Sequence, residues 1–99
     1  MKLKIGAHVY NAQTVDTLEP PLVRGRINYT QRTILIAKRA GQPRRVRSPK
    51  GLEHTFWHEV THGILHSMGS RKMYDEAFVD ELATRIGQVF NQVKDGINV

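Results

Sequence analysis

A small α+β fold is predicted for this 99-residue chain: an antiparallel sheet of about three strands packed on a helical hairpin. Three observations lead there. Apolar residues recur with a period of two, or in short β-branched runs, before residue 38. Ser48-Pro49 is a helix-start signal, a capping side chain followed by the residue suited to the first helical position. The last third carries apolar residues at helical spacing between Gly69 and Gly96. The length corresponds to one domain, divided as sheet 1–37, basic loop 38–47, first helix 48–68 and second helix 70–95.

Leu3, Ile5, Ala7 and Val9 alternate with Lys2, Lys4, Gly6, His8 and Tyr10, the pattern of a strand with one buried face. Residues 11–21 lack sustained periodicity. A short helical turn around Val15 and Leu18 is compatible with them, and Pro20-Pro21 would end it. Arg24–Tyr29 and Thr33–Ala37 are expected to pair as an antiparallel hairpin through Thr30-Gln31-Arg32. Residues 34–37 are continuously apolar, so that strand should be central or covered on both faces. Along the first helix Leu52, Phe56, Val60 and Ile64 step by four, Gly63 permits a close neighbour, and Gly69 is the left-handed stop. Ser70 is the expected cap of the second helix. Its stripe runs Val79, Leu82, Ala83, Ile86, Val89, Phe90 and Val93, closed by Gly96.

Composition excludes several classes. The chain has no cysteine, so disulfides and thiolate metal sites are ruled out, and any metal must be held by His and carboxylate. A 39% hydrophobic and 24% charged composition is that of a folded protein rather than a disordered one. Charges interrupt every short apolar run at the N-terminus, and no run approaches a membrane span, which makes the cytoplasm the expected location. The net charge of +6 is unevenly spread: the bases gather in residues 1–50 and most of the acids follow. The loop Lys38–Arg47 is a nucleic-acid patch, a clamp on an acidic partner, or a solvated loop with no partner. It lacks the aromatic residues that would stack on bases, which disfavours the first.

The chemistry concentrates at His58-Glu59-Val60-Thr61-His62. Histidines four apart share one helical face, so both imidazoles can reach one metal ion. Glu59 is placed to take a proton from a water activated there, the task of a general base. This is the H-E-x-x-H pattern of zinc metallopeptidases, and it still needs a third ligand. The candidates are His54, His66, Asp75, Glu76, Asp80 and Glu81. If the two helices form an antiparallel pair about Gly69, residues whose numbers sum to about 138 lie level. Glu76 is then level with His62 and Asp80 with His58, and the two acids share a face. Glu76 is the expected metal ligand; Asp80 is expected to hold the free ring nitrogen of a ligand histidine.

Asp75-Glu76-Ala77-Phe78-Val79-Asp80 resembles the N-E-x-x-S-D stretch of the gluzincin metallopeptidases. The resemblance implies Zn²⁺ held by His58, His62 and Glu76, with Asp80 orienting a ligand histidine and Glu59 assisting peptide-bond hydrolysis. Hairpin, H-E-x-x-H helix and acidic helix, in that order, look most like the compact ImmA/IrrE-type peptidases. The likeness spans roughly residues 25–93 and is strongest in the two helices. Asp75 stands where Asn is usual, and the interval from His62 to Glu76 is shorter than in larger gluzincins.

His66 and Tyr74 are the candidates for stabilising an oxyanion or lining the cleft; an exposed helix-end histidine and a packing tyrosine are the plain alternatives. The expected substrate is a peptide or protein lying extended along a sheet edge. Two other functions compete. His62-Gly63-Ile64-Leu65-His66-Ser67-Met68-Gly69 is similar to the H-G-x-L-H-x-x-G run of metal-dependent rRNA-maturation endoribonucleases. Lys72 stands where that family has its third histidine, and the His58/Glu59 and Glu76/Asp80 pairs would be left without a role. A non-catalytic protein with structural zinc is the other alternative.

Overall fold

Gly6 turns the chain back on itself. At φ +59° it occupies the left-handed region, and the predicted first strand becomes a hairpin of β1 (Lys2–Ile5) and β2 (His8–Val15). The inward phase changes at this turn: Ile5 is buried before it and Tyr10 and Ala12 after it, whereas Val9 is 51% exposed. β2 also takes in residues 11–15, where no helical turn forms, and Leu18 is buried in the loop beyond. Residues 1–94 and Gly96 are described by this computed structural model; the expected end of the second helix at residue 95 lies outside them.

β3 (Gly25–Asn28) and β4 (Thr33–Ala37) form the expected antiparallel hairpin. The sheet, however, has four strands in the order β1-β2-β4-β3, and β2 runs parallel to β4. It is therefore mixed rather than antiparallel. The chain leaves β2, passes to the far edge as β3, and returns through the hairpin so that β4 enters beside β2 in the same direction. That slot is central, as the apolar run of β4 requires: Ile34, Ile36 and Ala37 are buried and Leu35 half-buried.

The loop over 38–47 folds into a second small hairpin, β5 (Arg39–Ala40) with β6 (Arg45–Val46). Arg39 pairs with Asp16 at 2.7 Å and Arg44 with Glu19. Arg47 donates to the carbonyls of Arg24, Ala37 and Gly51 and to Thr55 Oγ1. Three of the loop's arginines thus tie it to residues 16–24 and to the start of the first helix.

α1 (Pro49–Ser67) begins as predicted, with Ser48 Oγ accepting from the Gly51 N–H at 3.0 Å, and Gly69 follows its end at φ +67°. It lies across the sheet. A Cβ at Gly63 would stand 3.1 Å from Ile5 Cδ1 and 3.2 Å from Ile27 Cδ1, so glycine lets helix and sheet approach without displacing these side chains. The core of Ile5, Tyr10, Ala12, Ile34, Ile36 and Val60 fills the interface. Ser70 caps a 3₁₀ turn (Arg71–Tyr74) rather than the second helix; Asp75 caps α2 (Glu76–Val93), its Oδ1 accepting from the Phe78 N–H at 3.0 Å. α2 packs chiefly on α1. Its buried stripe is narrower than predicted: Val79, Ala83 and Gly87 are covered, Leu82 and Ile86 partly so, and Val89, Phe90 and Val93 are exposed. Among the described residues no helix is long and apolar enough to cross a membrane.

Candidate metal centre

Two helices present three donors to one point. α1 supplies the Nε2 atoms of His58 and His62, and the first residue of α2 supplies the Glu76 carboxylate. Glu76 Oε2 lies 3.0 Å from His58 Nε2, and Oε1 lies 3.1 Å from His62 Nε2. Tetrahedral bonds of about 2.0–2.1 Å separate neighbouring donors by about 3.3 Å. Glu76 comes this close to both imidazoles, through a different oxygen to each. All three ligand atoms fall within 4.8 Å of one another, so the group could hold a metal ion.

Asp80 Oδ1 lies 3.3 Å from His58 Nδ1, and in the tautomer that donates through Nδ1 the Nε2 lone pair faces the Glu76 carboxylate. With both Nε2 atoms unprotonated, three acceptors converge, and a cation at that point would satisfy them. Burial holds His62 below its usual pKa, although Glu76 pulls the other way. Asp80 also accepts from His54 Nε2 at 2.9 Å. His54 is thus an outer support of the centre, not part of the donor group, as its rotation along the helix from His58 and His62 implies.

Glu59, one residue after His58, lines the same cleft, a cavity of about 550 Å³ between α1, β3 and the start of α2. It is only 8% exposed. Burial pushes its pKa up to about 7, Glu76 reinforces the rise, and His58 and Arg26 oppose it. A carboxylate poised near neutrality can accept a proton and return it. Gly25 makes room for it: a Cβ there would lie 3.2 Å from Glu59 Oε2 and 2.5 Å from Thr55 Cγ2.

β3 is the sheet's edge beside the cleft. The Ala37 N–H donates to the Arg24 carbonyl, so by antiparallel alternation Gly25 and Ile27 turn their N–H and C=O groups outward from the sheet. Those groups can pair with an extended chain.

Neither expected oxyanion candidate lines this cavity. Tyr74 is 76% exposed on the 3₁₀ turn, and exposed His66 stacks on Tyr29 with ring centroids 4.0 Å apart. Tyr29 itself lines the cleft. Its pKa is pushed up to about 12 by burial and then by the Glu59 charge, so its phenol remains a hydrogen-bond donor. Thr55 also lines the cleft, and its place four residues before Glu59 was a usable signal, since that spacing repeats a helical face. Tyr29 offered no such signal, because it enters through the packing of the β3–β4 hairpin on α1.

The fold is α+β, a four-stranded mixed sheet with two α-helices, and its helices carry a His/Glu cluster able to hold a metal ion. No protein-family model, curated protein or solved structure matched the chain.

Proposed function

We propose that the protein is a zinc-dependent metallopeptidase with a minimal zincin-like architecture, similar to the gluzincins and most like their compact ImmA/IrrE-type members. One observation carries the reading: a buried carboxylate with a pKa near 7 shares a cavity with two imidazoles and a carboxylate at metal-ligand spacing. His58, His62 and Glu76 would hold the ion. When bound, zinc supplies a Lewis acid that polarises a carbonyl and makes water acidic near neutral pH. Glu59 takes the proton from the attacking water and passes it to the departing amine. Asp80 fixes the His58 ring so that Nε2 faces the centre, and His54 braces Asp80. A substrate strand aligned on the outward groups of Gly25 and Ile27 would bring its scissile carbonyl over Glu59.

Glu59→Gln should retain zinc and lose hydrolysis by a thousandfold or more, order of magnitude, in a peptide-cleavage assay. A variant that still cleaves removes Glu59 from this role. Metal analysis of His62→Ala and His66→Ala separates the peptidase from the endoribonuclease-like alternative. Only the first should lose zinc, because His66 is engaged with Tyr29 rather than turned to the other donors.

A further inference from the structure

The cleft does not end at Arg24. A second cavity of about 510 Å³ adjoins it, and Leu22 and Arg24 line both. Its wall carries three arginines, Arg24, Arg45 and Arg47, and no carboxylate. Charge is uncompensated here. The nearby acids Asp16 and Glu19 are engaged by Arg39 and Arg44. Arg47 is held only by neutral acceptors, the carbonyls of Arg24, Ala37 and Gly51 and the Thr55 hydroxyl. Among the described residues, the Arg24 and Arg45 side chains have no hydrogen-bond or ion-pair partner; both are exposed. α1 opens beside them with no acid in its first turn, and its positive end adds to the field.

We propose that this cavity is a substrate subsite for an acidic side chain, Asp or Glu, of an extended peptide whose scissile bond lies over the metal centre. The inference rests on the peptidase reading and names its substrate class. A peptide paired with the β3 edge at Gly25 runs past Arg24 and Leu22 directly into the arginine-lined cavity. Residues advance about 3.3 Å along a strand, so the acidic position falls a few residues from the cleaved bond. Guanidinium groups bind carboxylates with two parallel hydrogen bonds, and the exposed Arg24 and Arg45 are open to do so. A peptide is favoured over a nucleic acid because the edge strand offers outward backbone groups and no aromatic ring lines the second cavity for bases to stack on.

The test uses Glu59→Gln protein, so that binding is read without turnover, and labelled octapeptides that differ by one Glu or Gln scanned through each position. Fluorescence anisotropy should find a register in which the Glu peptide binds at least about tenfold tighter than its Gln counterpart. Adding Arg24→Gln and Arg45→Gln should bring that preference to within about twofold, whereas Lys38→Gln, a base outside the cavity, should leave it intact. Equal affinity for Glu and Gln peptides in every register overturns the proposal. So does an equal effect from Lys38→Gln, or displacement of the peptide by an eight-nucleotide single strand at lower concentration than the Glu peptide itself requires. Cleavage by the wild-type protein is scored separately. Glu preference without cleavage upholds the subsite and sinks the peptidase reading; cleavage without Glu preference does the reverse.

Discussion

Glu59 is held against its own solvation. Its carboxyl ionises near pH 7 in the folded, metal-free chain but near 4.5 when unfolded, because burial penalises the charged form. Below pH 4.5 the group is protonated in both states and costs nothing; between 4.5 and 7 the folded state binds more protons, so stability falls as pH rises; above 7 the full cost is expressed. That interval corresponds to about 3 kcal/mol. Glu59→Gln keeps the shape and removes the ionisation. In chelator-treated protein it should therefore stabilise the fold by up to about 3 kcal/mol at pH 8 and by nothing near pH 4, measured by urea unfolding. A pH-independent difference would mean that Glu59 is not desolvated in the fold. This is a trade-off typical of functional sites, where a residue suited to its chemistry is unfavourable for stability.

At the scale of elements, the approach of β3 to α1 shapes the cleft, and Gly25 sets it. A methyl group there meets Thr55 Cγ2 at 2.5 Å, a distance that forces the strand and helix apart. Gly25→Ala should cost about 1–3 kcal/mol. Thr55→Ser removes the obstructing methyl and keeps the hydroxyl that accepts from Arg47. In a double-mutant cycle the pair should recover at least about 1 kcal/mol relative to the sum of the singles, read from thermal unfolding. Strict additivity would show that the contact is not what limits this approach. How much could be read in advance divides along the same line. Ser48, Pro49, Gly63 and Gly69 announce α1 because its start, close approach and stop each depend on one residue type. α2 was misplaced at its start because Ser70 and Asp75 are both capping residues. Only packing decides that Asp75, whose cap sets Glu76 at the first helical position, begins the long helix. Strand β2 is not legible beyond Tyr10 because Asn11, Gln13 and Thr14 are polar and exposed and give no apolar alternation.

For the whole molecule, the pairing of helices was legible and the path of the sheet was not. Levelling residues about Gly69 placed Glu76 and Asp80 opposite His62 and His58 because an antiparallel helix pair obeys simple rise arithmetic, which the inserted 3₁₀ turn did not upset. The parallel β2–β4 pairing depends on which edge the chain crosses to, and no local pattern in residues 16–24 encodes that. In this architecture a metal held by His58, His62 and Glu76 would be a clamp. The sheet packs on α1, α2 packs on α1, and the candidate donor set spans the α1–α2 interface, so an ion held there would bind the folded chain at a site that the unfolded chain cannot assemble. Such linkage stabilises by about 2.7 kcal/mol when free zinc is a hundredfold above its dissociation constant. For a domain of this size that raises the melting temperature by about 10–20 °C. Zinc addition to chelator-treated protein should produce this shift, and Glu76→Ala, which removes the only donor contributed by α2, should reduce it to a few degrees. Glu81→Ala, on an exposed face of the same helix, should leave it unchanged. If Glu76→Ala melts with the same zinc-dependent shift as the wild type, the ion is bound by α1 alone and the two-helix centre is wrong.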